Sequence, residues 1–290
     1  MTEPRQAVLS VDFELFEHTP AYRQATGTAP NAGIGLAGGE FLRDAFAERG
    51  AQTTWFVVGD VAKTDPAVVE SLAGGGHEIG SHTQTHRLLT DLNAEARRTE
   101  LEQSKAILEE TTGADVVGFR APAFDFGPTH FGKLAEAGYE YDSSVVSSRS
   151  IPGWYGGEYD LHRPTPATAV QSNAPSSLVE LPVSVMPGLR LPLTGTWLRF
   201  FGPRYTILGM NRLAKRGITP VLYVHPWELV ELPRIEGVPK RVYWHTGEWM
   251  QRAVGRILDS GFEFVTARDA IDSAEGGPAV PSGGPSRGVE

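Results

Sequence analysis

Short apolar runs alternate along the chain with longer segments in which an apolar residue returns every three or four positions. The short runs have the length of buried strands, and the longer segments have the spacing of amphipathic helices. Predicted strands lie at 7–12, 53–58, 78–82, 116–120, 178–185, 220–225 and 262–265. Predicted helices lie at 40–49, 66–73, 94–111, 128–137, 205–216 and 246–260. This alternation predicts an α/β domain built from parallel β/α units.

Three stretches lack this periodicity, and we predict loops or irregular connections at 17–38, 147–177 and 186–204. Long loops at strand ends often shape a functional site. The last residues, 275–290, contain Gly, Pro and Ser with few apolar residues. A segment of this composition cannot bury enough apolar surface to fold. We therefore expect one domain over 1–274 and a disordered C-terminal tail over 275–290.

The composition suits a globular protein and argues against several function classes. Of the 290 residues, 40% are hydrophobic and 21% are charged, which is enough for a full core. The net charge of −9, without a dense basic stretch, makes nucleic acid an unexpected partner. The chain has no cysteine, so a transition metal would need His, Asp or Glu ligands.

The apolar runs are too short for a transmembrane helix, which needs about 18 apolar residues or more. The N-terminus has no positively charged region followed by an apolar segment, as a secretory signal would have. We therefore expect a cytoplasmic protein with no transmembrane segment.

Residues that can hold a metal and move protons lie at the predicted ends of strands. His82 and His86 are four residues apart, a spacing that can place two imidazoles on one metal ion. Asp12 and Glu14 are two residues apart after the first strand, so both can face one pocket. His225 ends another apolar run. Together they predict a mononuclear metal site with a general base and a general acid beside it.

Four short motifs follow one another along the chain: Val-Asp-Phe-Glu (11–14), His-Thr-Gln-Thr-His (82–86), Arg-Ala-Pro-Ala-Phe (120–124) and Leu-Tyr-Val-His (222–225). In this order they resemble the motifs of the polysaccharide deacetylases of the NodB-homology type, carbohydrate esterase family 4. Two further runs, His-Pro-Trp-Glu (225–228) and Tyr-Asp-Ser-Ser (141–144), are more similar to a subgroup associated with exopolysaccharide clusters. The first motif departs from the common pattern of adjacent aspartates, because Phe13 separates Asp12 from Glu14.

The resemblance implies a distorted (β/α) barrel of about seven parallel strands. It also implies an enzyme that hydrolyses N-acetyl groups of an amino-sugar-containing glycan or glycoconjugate. It implies one divalent metal ion, with zinc as the expected metal, held by Glu14, His82 and His86. Metal-dependent hydrolysis would then release acetate and a free amine.

The resemblance also implies roles for residues around the metal. Asp12 would act as the general base, Arg120 would pair with it, and His225 would protonate the leaving amine. Three residues are expected to bind or orient the reacting groups: Asp142, Trp227 and Pro122. Of these, Asp142 would orient His225, and Trp227 would stack on a sugar ring. The histidines without motif support are expected to be exposed: His18, His130, His162 and His245.

Two alternatives remain open from the sequence. The chain could be a metal hydrolase of another C–N or ester bond on the same barrel. It could also be a carbohydrate-binding pseudoenzyme, because its first motif is altered. The sequence leaves the sugar, the metal, the pathway and the oligomeric state undetermined, and the ligand role of Glu14 could belong to Asp12.

Overall fold

The computed structural model describes residues 5–27, 32–151 and 156–275. Its strands are β1 (Gln6–Phe13), β2 (Thr54–Val57), β3 (Glu78–Ser81), β4 (Gly118–Phe119), β5 (Tyr141–Asp142), β6 (Thr165–Pro166), β7 (Val179–Glu180), β8 (Val221–Val224) and β9 (Glu263–Phe264). They form one curled sheet in the order β6-β7-β5-β4-β3-β2-β1-β8, with β9 paired to β1. All pairs are parallel except β6 with β7. The expected distorted (β/α) barrel is confirmed.

Helices flank this sheet: α1 (Pro20–Thr26), α2 (Leu36–Ala47), α3 (Gly59–Thr64), α4 (Pro66–Gly74), α5 (Ala94–Thr112), α6 (His130–Glu136), α7 (Gly195–Phe201), α8 (Pro203–Ala214), α9 (Glu248–Leu258) and α10 (Ala267–Glu275). Short 3₁₀ turns lie at Phe16–His18, Leu89–Asp91, Pro122–Phe124, Ala167–Ala169, Pro226–Leu229 and Lys240–Tyr243. Local sequence sets the ends of α5: Asn93 caps its start, and Gly113, with φ of 68°, ends it.

Each predicted strand and helix has a counterpart, but the predicted loops contain helices. The stretch 17–38 holds α1, and 186–204 holds α7. In α1 only Tyr22 is buried, so no apolar period marks the helix. In α7 several aromatic side chains remain partly exposed, so no single apolar face marks it. Beyond Glu275, which ends α10, the predicted disordered tail lies outside the described residues, and the single domain over 1–274 stays a prediction.

Successive side chains of β1 point alternately towards the flanking helices and towards the barrel interior. Leu9, Val11 and Phe13 belong to the large core beneath the helices. Val8 packs in a smaller inner cluster, and the side chains of Ser10 and Asp12 point the same way, because successive residues of a strand face opposite sides. The inner face of β1 therefore changes from apolar to polar towards its carboxyl end.

The segment that follows β7 joins the curled sheet to β8. The amide of Ser184 donates to the carbonyl of Val221 at 2.8 Å, and the Ser184 hydroxyl accepts from the Val221 amide at 2.9 Å. Thr194 forms a further parallel bridge to Tyr223. These bonds position β8, and with it the residue that follows it, His225. In the described ranges, no helix is both long and apolar enough to cross a bilayer.

Replacing Ser184 with alanine tests this connection. The variant Ser184→Ala leaves the buried amide of Val221 without its acceptor, so we expect the free energy of unfolding to fall by about 1–3 kcal/mol. Urea unfolding would measure the loss. The control Ser260→Ala removes a partly exposed hydroxyl that donates to the carbonyl of Ile257 in α9, and we expect a change below about 0.5 kcal/mol. Equal losses in the two variants would contradict the assigned role.

Candidate metal centre and active site

One large cavity, of about 1030 Å³, opens at the carboxyl ends of the strands. Asp12 lies at the end of β1, His82 directly follows β3, and His225 directly follows β8. All three line the cavity together with Glu14 and His86. Parallel strands direct their carboxyl ends to the same edge, which explains how such distant parts of the sequence meet. With Trp227, which also lines the cavity, the structure brings six of the nine predicted site residues to one cavity wall.

Glu14, His82 and His86 form a cluster with the dimensions of a metal site. One ligand-capable atom from each residue lies within 4.8 Å of the others, and all three side chains are buried. The Glu14 Oε2 and the His86 Nε2 are 2.5 Å apart. The Oε2 atom is buried and has no suitably oriented hydrogen-bond donor. An unsatisfied buried carboxylate oxygen beside two imidazoles is what a three-residue N₂O site for a divalent metal presents.

Hydrogen bonds behind the two imidazoles orient them for metal binding. His82 Nδ1 lies 2.7 Å from the carbonyl of Arg120, and His86 Nδ1 lies 3.1 Å from the carbonyl of His18. A carbonyl only accepts, so each Nδ1 carries the proton and each Nε2 faces the cluster. Burial lowers the pKa of His82 to about 4, so this ring is neutral, as a metal ligand must be.

The carboxylate of Glu14 is held from its other side by Trp227. The Trp227 indole N–H donates to Glu14 Oε1 at 3.0 Å. Burial alone would raise the pKa of Glu14, but the adjacent His86 and the further histidines hold it well below its usual range. Glu14 is therefore an oriented, ionised carboxylate, and the donor set of the cluster fits a divalent metal.

The loop that carries His82 and His86 has a strained backbone, and side chains from two helices form hydrogen bonds with it. Thr83 has φ of 65° and His86 has φ of 57°, in the left-handed region that non-glycine residues seldom adopt. Arg23 of α1 donates to the carbonyls of Thr85 and His86 at 2.6 and 3.0 Å. Glu100 of α5 accepts from the amide and the hydroxyl of Thr85 at 2.8 and 2.5 Å. These contacts maintain the backbone conformation that turns both imidazoles inward.

Asp12 pairs with a fully buried arginine, as the sequence predicted. Arg120 Nη1 donates to Asp12 Oδ1 at 2.5 Å and to the Ser10 hydroxyl at 2.9 Å. Its Nε and Nη2 donate to the carbonyl and the hydroxyl of Ser143 at 2.9 and 2.8 Å. The guanidinium also lies 4.2 Å from the ring centre of Phe56. The pair fixes one oxygen of Asp12 and leaves the carboxylate at the cavity wall.

His225 is held by Glu228, three residues further along the chain. His225 Nδ1 lies 3.2 Å from Glu228 Oε2, which also accepts from the His225 amide at 3.0 Å. Glu228 in turn pairs with Arg199 at 2.8 Å, and both side chains are buried. Burial by itself lowers the pKa of His225, but the carboxylates of Glu228, Glu14 and Asp12 raise it to about 9. An imidazole with this pKa is protonated at neutral pH.

Two glycines permit close packing around the turn that carries Glu228. A Cβ on Gly195 of α7 would lie 2.0 Å from Glu228 Oε2. A Cβ on Gly38 of α2 would lie 2.0 Å from the carbonyl of Pro226. Side chains at these positions would displace the turn, so both helices need glycine there.

Asp142 does not lie where the sequence predicted. Its carboxylate is fully buried, accepts from the Ser144 hydroxyl at 2.6 Å and contacts His130 Nε2 at 3.1 Å. It also interacts with Glu180, whose pKa is raised well above its usual value by burial and by Asp142 itself. Asp142 is absent from the lining of the large cavity. The prediction that it orients His225 is therefore wrong, and Glu228 occupies that position.

The other two predicted substrate-binding residues differ in placement. Pro122 is buried beneath the cavity wall, whereas its neighbours Ala123 and Phe124 line the cavity with φ of 52° and 60°. Trp227 lines the cavity, but its ring stacks on His225 at 5.1 Å and packs against Phe16. A face of the indole is thus already covered, and its N–H is engaged by Glu14. Stacking of Trp227 on a sugar stays a prediction.

Two histidines that we expected to be exposed are buried. The carbonyl of His18 accepts a hydrogen bond from His86 Nδ1. Burial lowers the pKa of the His18 imidazole to about 3. His130 contacts Asp142. His162 and His245 are exposed, as predicted. The sequence reasoning also missed Glu228 as a site residue, although the His-Pro-Trp-Glu run contained its signal: an acid three residues after a histidine.

Comparison with known proteins agrees with this geometry. The family model for polysaccharide deacetylase matches residues 40–141. A second family model, described as a domain of unknown function (DUF3473), matches residues 143–272. The two matches are adjacent in sequence and together cover most of the sheet and its helices.

Among curated proteins, a peptidoglycan deacetylase-like protein FGM2 of Gibberella zeae is 30% identical over 94 residues, which are 32% of this chain and 28% of that protein. A peptidoglycan deacetylase of Helicobacter pylori is 24% identical over 138 residues, 45% of this chain and 47% of that protein. The matched segments thus span less than half of the length of either relative.

Among solved structures, a Mycobacterium smegmatis protein provisionally assigned as a polysaccharide deacetylase superposes with a TM-score of 0.65 at 21% identity. The superposition covers 98% of this chain and 96% of that one. A family 4 pseudoenzyme of Bacillus anthracis superposes with a TM-score of 0.50 at 11% identity, over 94% of this chain and 67% of that one. At these identities the structures support the fold alone. The family match, the curated relatives and the structural neighbours agree that the chain contains a polysaccharide deacetylase domain of the NodB-homology type, carbohydrate esterase family 4.

Proposed function

We propose that this protein is a metal-dependent N-deacetylase that removes acetyl groups from an amino-sugar-containing glycan or glycoconjugate. The observation that carries the proposal is the meeting of three groups in one cavity. These are the Glu14, His82 and His86 cluster, the Asp12–Arg120 pair and the His225–Glu228 pair. They correspond to a metal site, a base and an acid, as hydrolysis of an amide requires.

A divalent metal bound by Glu14, His82 and His86 would supply a water of lowered pKa and a positive charge beside the scissile carbonyl. Zinc is the expected metal, because an N₂O ligand set with open positions suits it. The protein residues would carry the protons. Asp12, oriented by Arg120, would accept a proton from the attacking water. His225 Nε2 would donate a proton to the leaving nitrogen, while Glu228 holds Nδ1 from behind.

The size of the cavity favours a substrate larger than one acetyl group. Its lining extends from the cluster past α1 to the 3₁₀ turn at Lys240–Tyr243, and its volume of about 1030 Å³ far exceeds that of an acetyl group. The curated relatives carry names that refer to peptidoglycan and chitooligosaccharide, and polymers of acetylated amino sugars are the substrates that we propose to test. The exopolysaccharide subgroup, the cytoplasmic location and the sugar itself stay predictions.

The direct test is release of acetate from acetylated chito-oligosaccharides by the purified protein with added divalent metal. Acetate release supports the proposal. Release of acetate only from O-acetyl esters would favour the rival metal hydrolase of an ester bond. Metal binding without turnover on any acylated sugar would favour a pseudoenzyme, like the Bacillus anthracis protein.

The metal cluster predicts about one divalent ion per chain. We expect His82→Ala and His86→Ala each to lose most of the metal, because a three-ligand site seldom survives with two ligands. Glu14→Ala should weaken metal binding and leave the fold intact. Trp227→Phe keeps an aromatic ring but loses the indole N–H that donates to Glu14. The metal affinity of this variant should therefore fall about 10–100-fold. Metal content by mass spectrometry and affinity by calorimetry would measure these effects.

The matched control for these variants is His162→Ala, which removes an exposed histidine outside the cavity and should keep full metal content. Unchanged metal affinity in Glu14→Ala would make Asp12 the better ligand candidate, and the two roles would be exchanged. Full activity in a chelated, metal-free sample would contradict the metal proposal altogether.

The base role of Asp12 predicts a separation of binding from turnover. Asp12→Asn keeps the size of the side chain but cannot accept the proton, so turnover should fall by about 10²–10⁴. Metal content should remain, because Arg120 keeps its bonds to Ser10 and Ser143 and thus the local packing. Rate and metal must be measured on one preparation. A near wild-type rate would show that another group activates the water.

The acid role of His225 predicts a dependence on the leaving group. An amine needs a proton to leave, whereas the phenolate of an activated aryl acetate leaves unaided. His225→Ala should therefore lose much activity on N-acetyl sugars and little on aryl acetates. Glu228→Gln should show the same selectivity with a smaller loss, because it removes the carboxylate that positions His225 Nδ1. Equal losses on both substrates would mean that His225 only holds the pocket together.

A further inference from the structure

A continuous row of aromatic rings crosses the surface beside the cavity. We call it the aromatic strip, and it consists of Trp244, Phe200, Trp197, Phe201 and Tyr205. The exposed Leu208 follows Tyr205 by three residues on α8. Successive ring centres are 5.6, 6.1, 5.6 and 4.8 Å apart from Trp244 to Tyr205. Trp244, Phe201 and Leu208 are 54%, 49% and 47% exposed. Exposed large apolar side chains in a contiguous row indicate an interaction surface.

The sequence around the strip is basic, although the whole chain has a net charge of −9. From Leu181 to Trp227 there is no acidic residue, and there are six cations: Arg190, Arg199, Arg204, Arg212, Lys215 and Arg216. Arg199 is buried with Glu228, and Arg190 lies 3.6 Å from Asp160. The remaining four cations are exposed on α8 and the turn after it. Exposed cations of this kind can attract an anionic partner.

Three cations and one exposed leucine share the same side of α8. Arg204, Leu208, Arg212 and Lys215 follow one another at intervals of four, four and three residues, so they form one exposed stripe. The opposite side of the helix is buried in the core through Met210 and Leu213. Cations on both sides of an exposed leucine, beside exposed aromatic rings, are the pattern of a helix that lies on a membrane surface.

The strip also borders the active-site cavity. Thr196 of α7 lines the cavity, and its neighbour Trp197 belongs to the strip. At the other end, Arg241 lines the cavity and Lys240 is exposed beside it, three and four residues before Trp244. The nearby Glu248 of α9 pairs with Arg252 at 3.1 Å, so part of the adjacent negative charge is neutralised. A flat partner on the strip would lie next to the cavity mouth.

We propose that the aromatic strip and the exposed cations of α8 dock this protein on an anionic lipid bilayer. The bilayer complements both features, because the rings can enter the headgroup region while the cations meet lipid phosphates. A second copy of the chain, placed symmetrically, would bring the cations of two α8 helices together and cause repulsion. A glycan is less well matched, because Trp197 and Phe201 stack on each other and so cover ring faces that a sugar would use. Docking presents the cavity to glycans at the membrane surface.

Vesicle sedimentation tests the proposal without using enzymatic activity. The full chain is mixed with vesicles of phosphatidylcholine alone, or with vesicles in which about a third of the lipid is phosphatidylglycerol. We expect binding to the anionic vesicles only, weakened by salt. Arg204→Glu/Arg212→Glu should lower the binding by at least about tenfold, since each cation near the surface contributes to attraction. Phe201→Ser/Trp244→Ser should also lower it.

The matched control is Lys63→Glu/Arg98→Glu, which makes the same charge change at exposed positions of α3 and α5. These helices pack against each other on the β3 side of the sheet, whereas α7 packs on β8. The control should bind like wild type, and thermal unfolding should show all variants to be folded. Absence of binding, equal binding to neutral vesicles or an equal loss in the control would overturn the proposal. Self-association that Phe201→Ser/Trp244→Ser abolishes, without vesicle binding, would also overturn it.

Discussion

The arrangement of the site depends on one buried cation, the guanidinium of Arg120. It lies in the barrel interior with no exposed surface, so its desolvation must be compensated by full hydrogen bonding. Its N–H groups donate to Ser10 and Asp12 on β1 and to Ser143 directly after β5. The backbone carbonyl of Arg120 accepts a hydrogen bond from His82 Nδ1. One residue therefore connects Asp12 on β1, His82 after β3 and Ser143 after β5. A lysine could not replace it, because an ammonium lacks the planar set of donors that spans these partners.

The sequence predicted well those parts of the fold that local patterns control. Buried strands appear as apolar runs whatever lies around them, and β1, β2, β3 and β8 were found for this reason. Two residues of the candidate metal cluster could also be predicted, since His82 and His86 carry a recognisable spacing. By contrast, α1 and α7 have little or no continuous buried face, so their helical state depends on tertiary contacts that no window of sequence contains. Both helices nevertheless contact the site, through Arg23 and through Arg199.

The misplaced role of Asp142 shows a second limit of sequence reasoning. A carboxylate at a strand end is a plausible partner for a catalytic histidine, but Asp142 turns to Ser144, His130 and Glu180. The partner that His225 has, Glu228, follows it by three residues on the Pro226–Leu229 turn. The directions in which side chains point at the rim of the barrel decide which carboxylate contacts the histidine. That direction depends on register and turn geometry, which residue type alone does not encode.

The two family matches divide the residues of the candidate site between two regions of the chain. The polysaccharide deacetylase match, over 40–141, contains His82, His86 and Arg120, whereas Asp12 and Glu14 precede it. The second match, over 143–272, contains His225, Glu228 and Arg199, and also the aromatic strip. The two histidines of the candidate metal cluster and the His225–Glu228 pair thus come from different matched regions. Because Trp227 of the second region donates to Glu14, and Tyr223 lies 5.3 Å from the Arg120 guanidinium, neither region completes the site alone. The region of unknown function therefore contains His225 and Glu228, which we propose as the acid and its partner, and the aromatic strip that we propose as a docking surface.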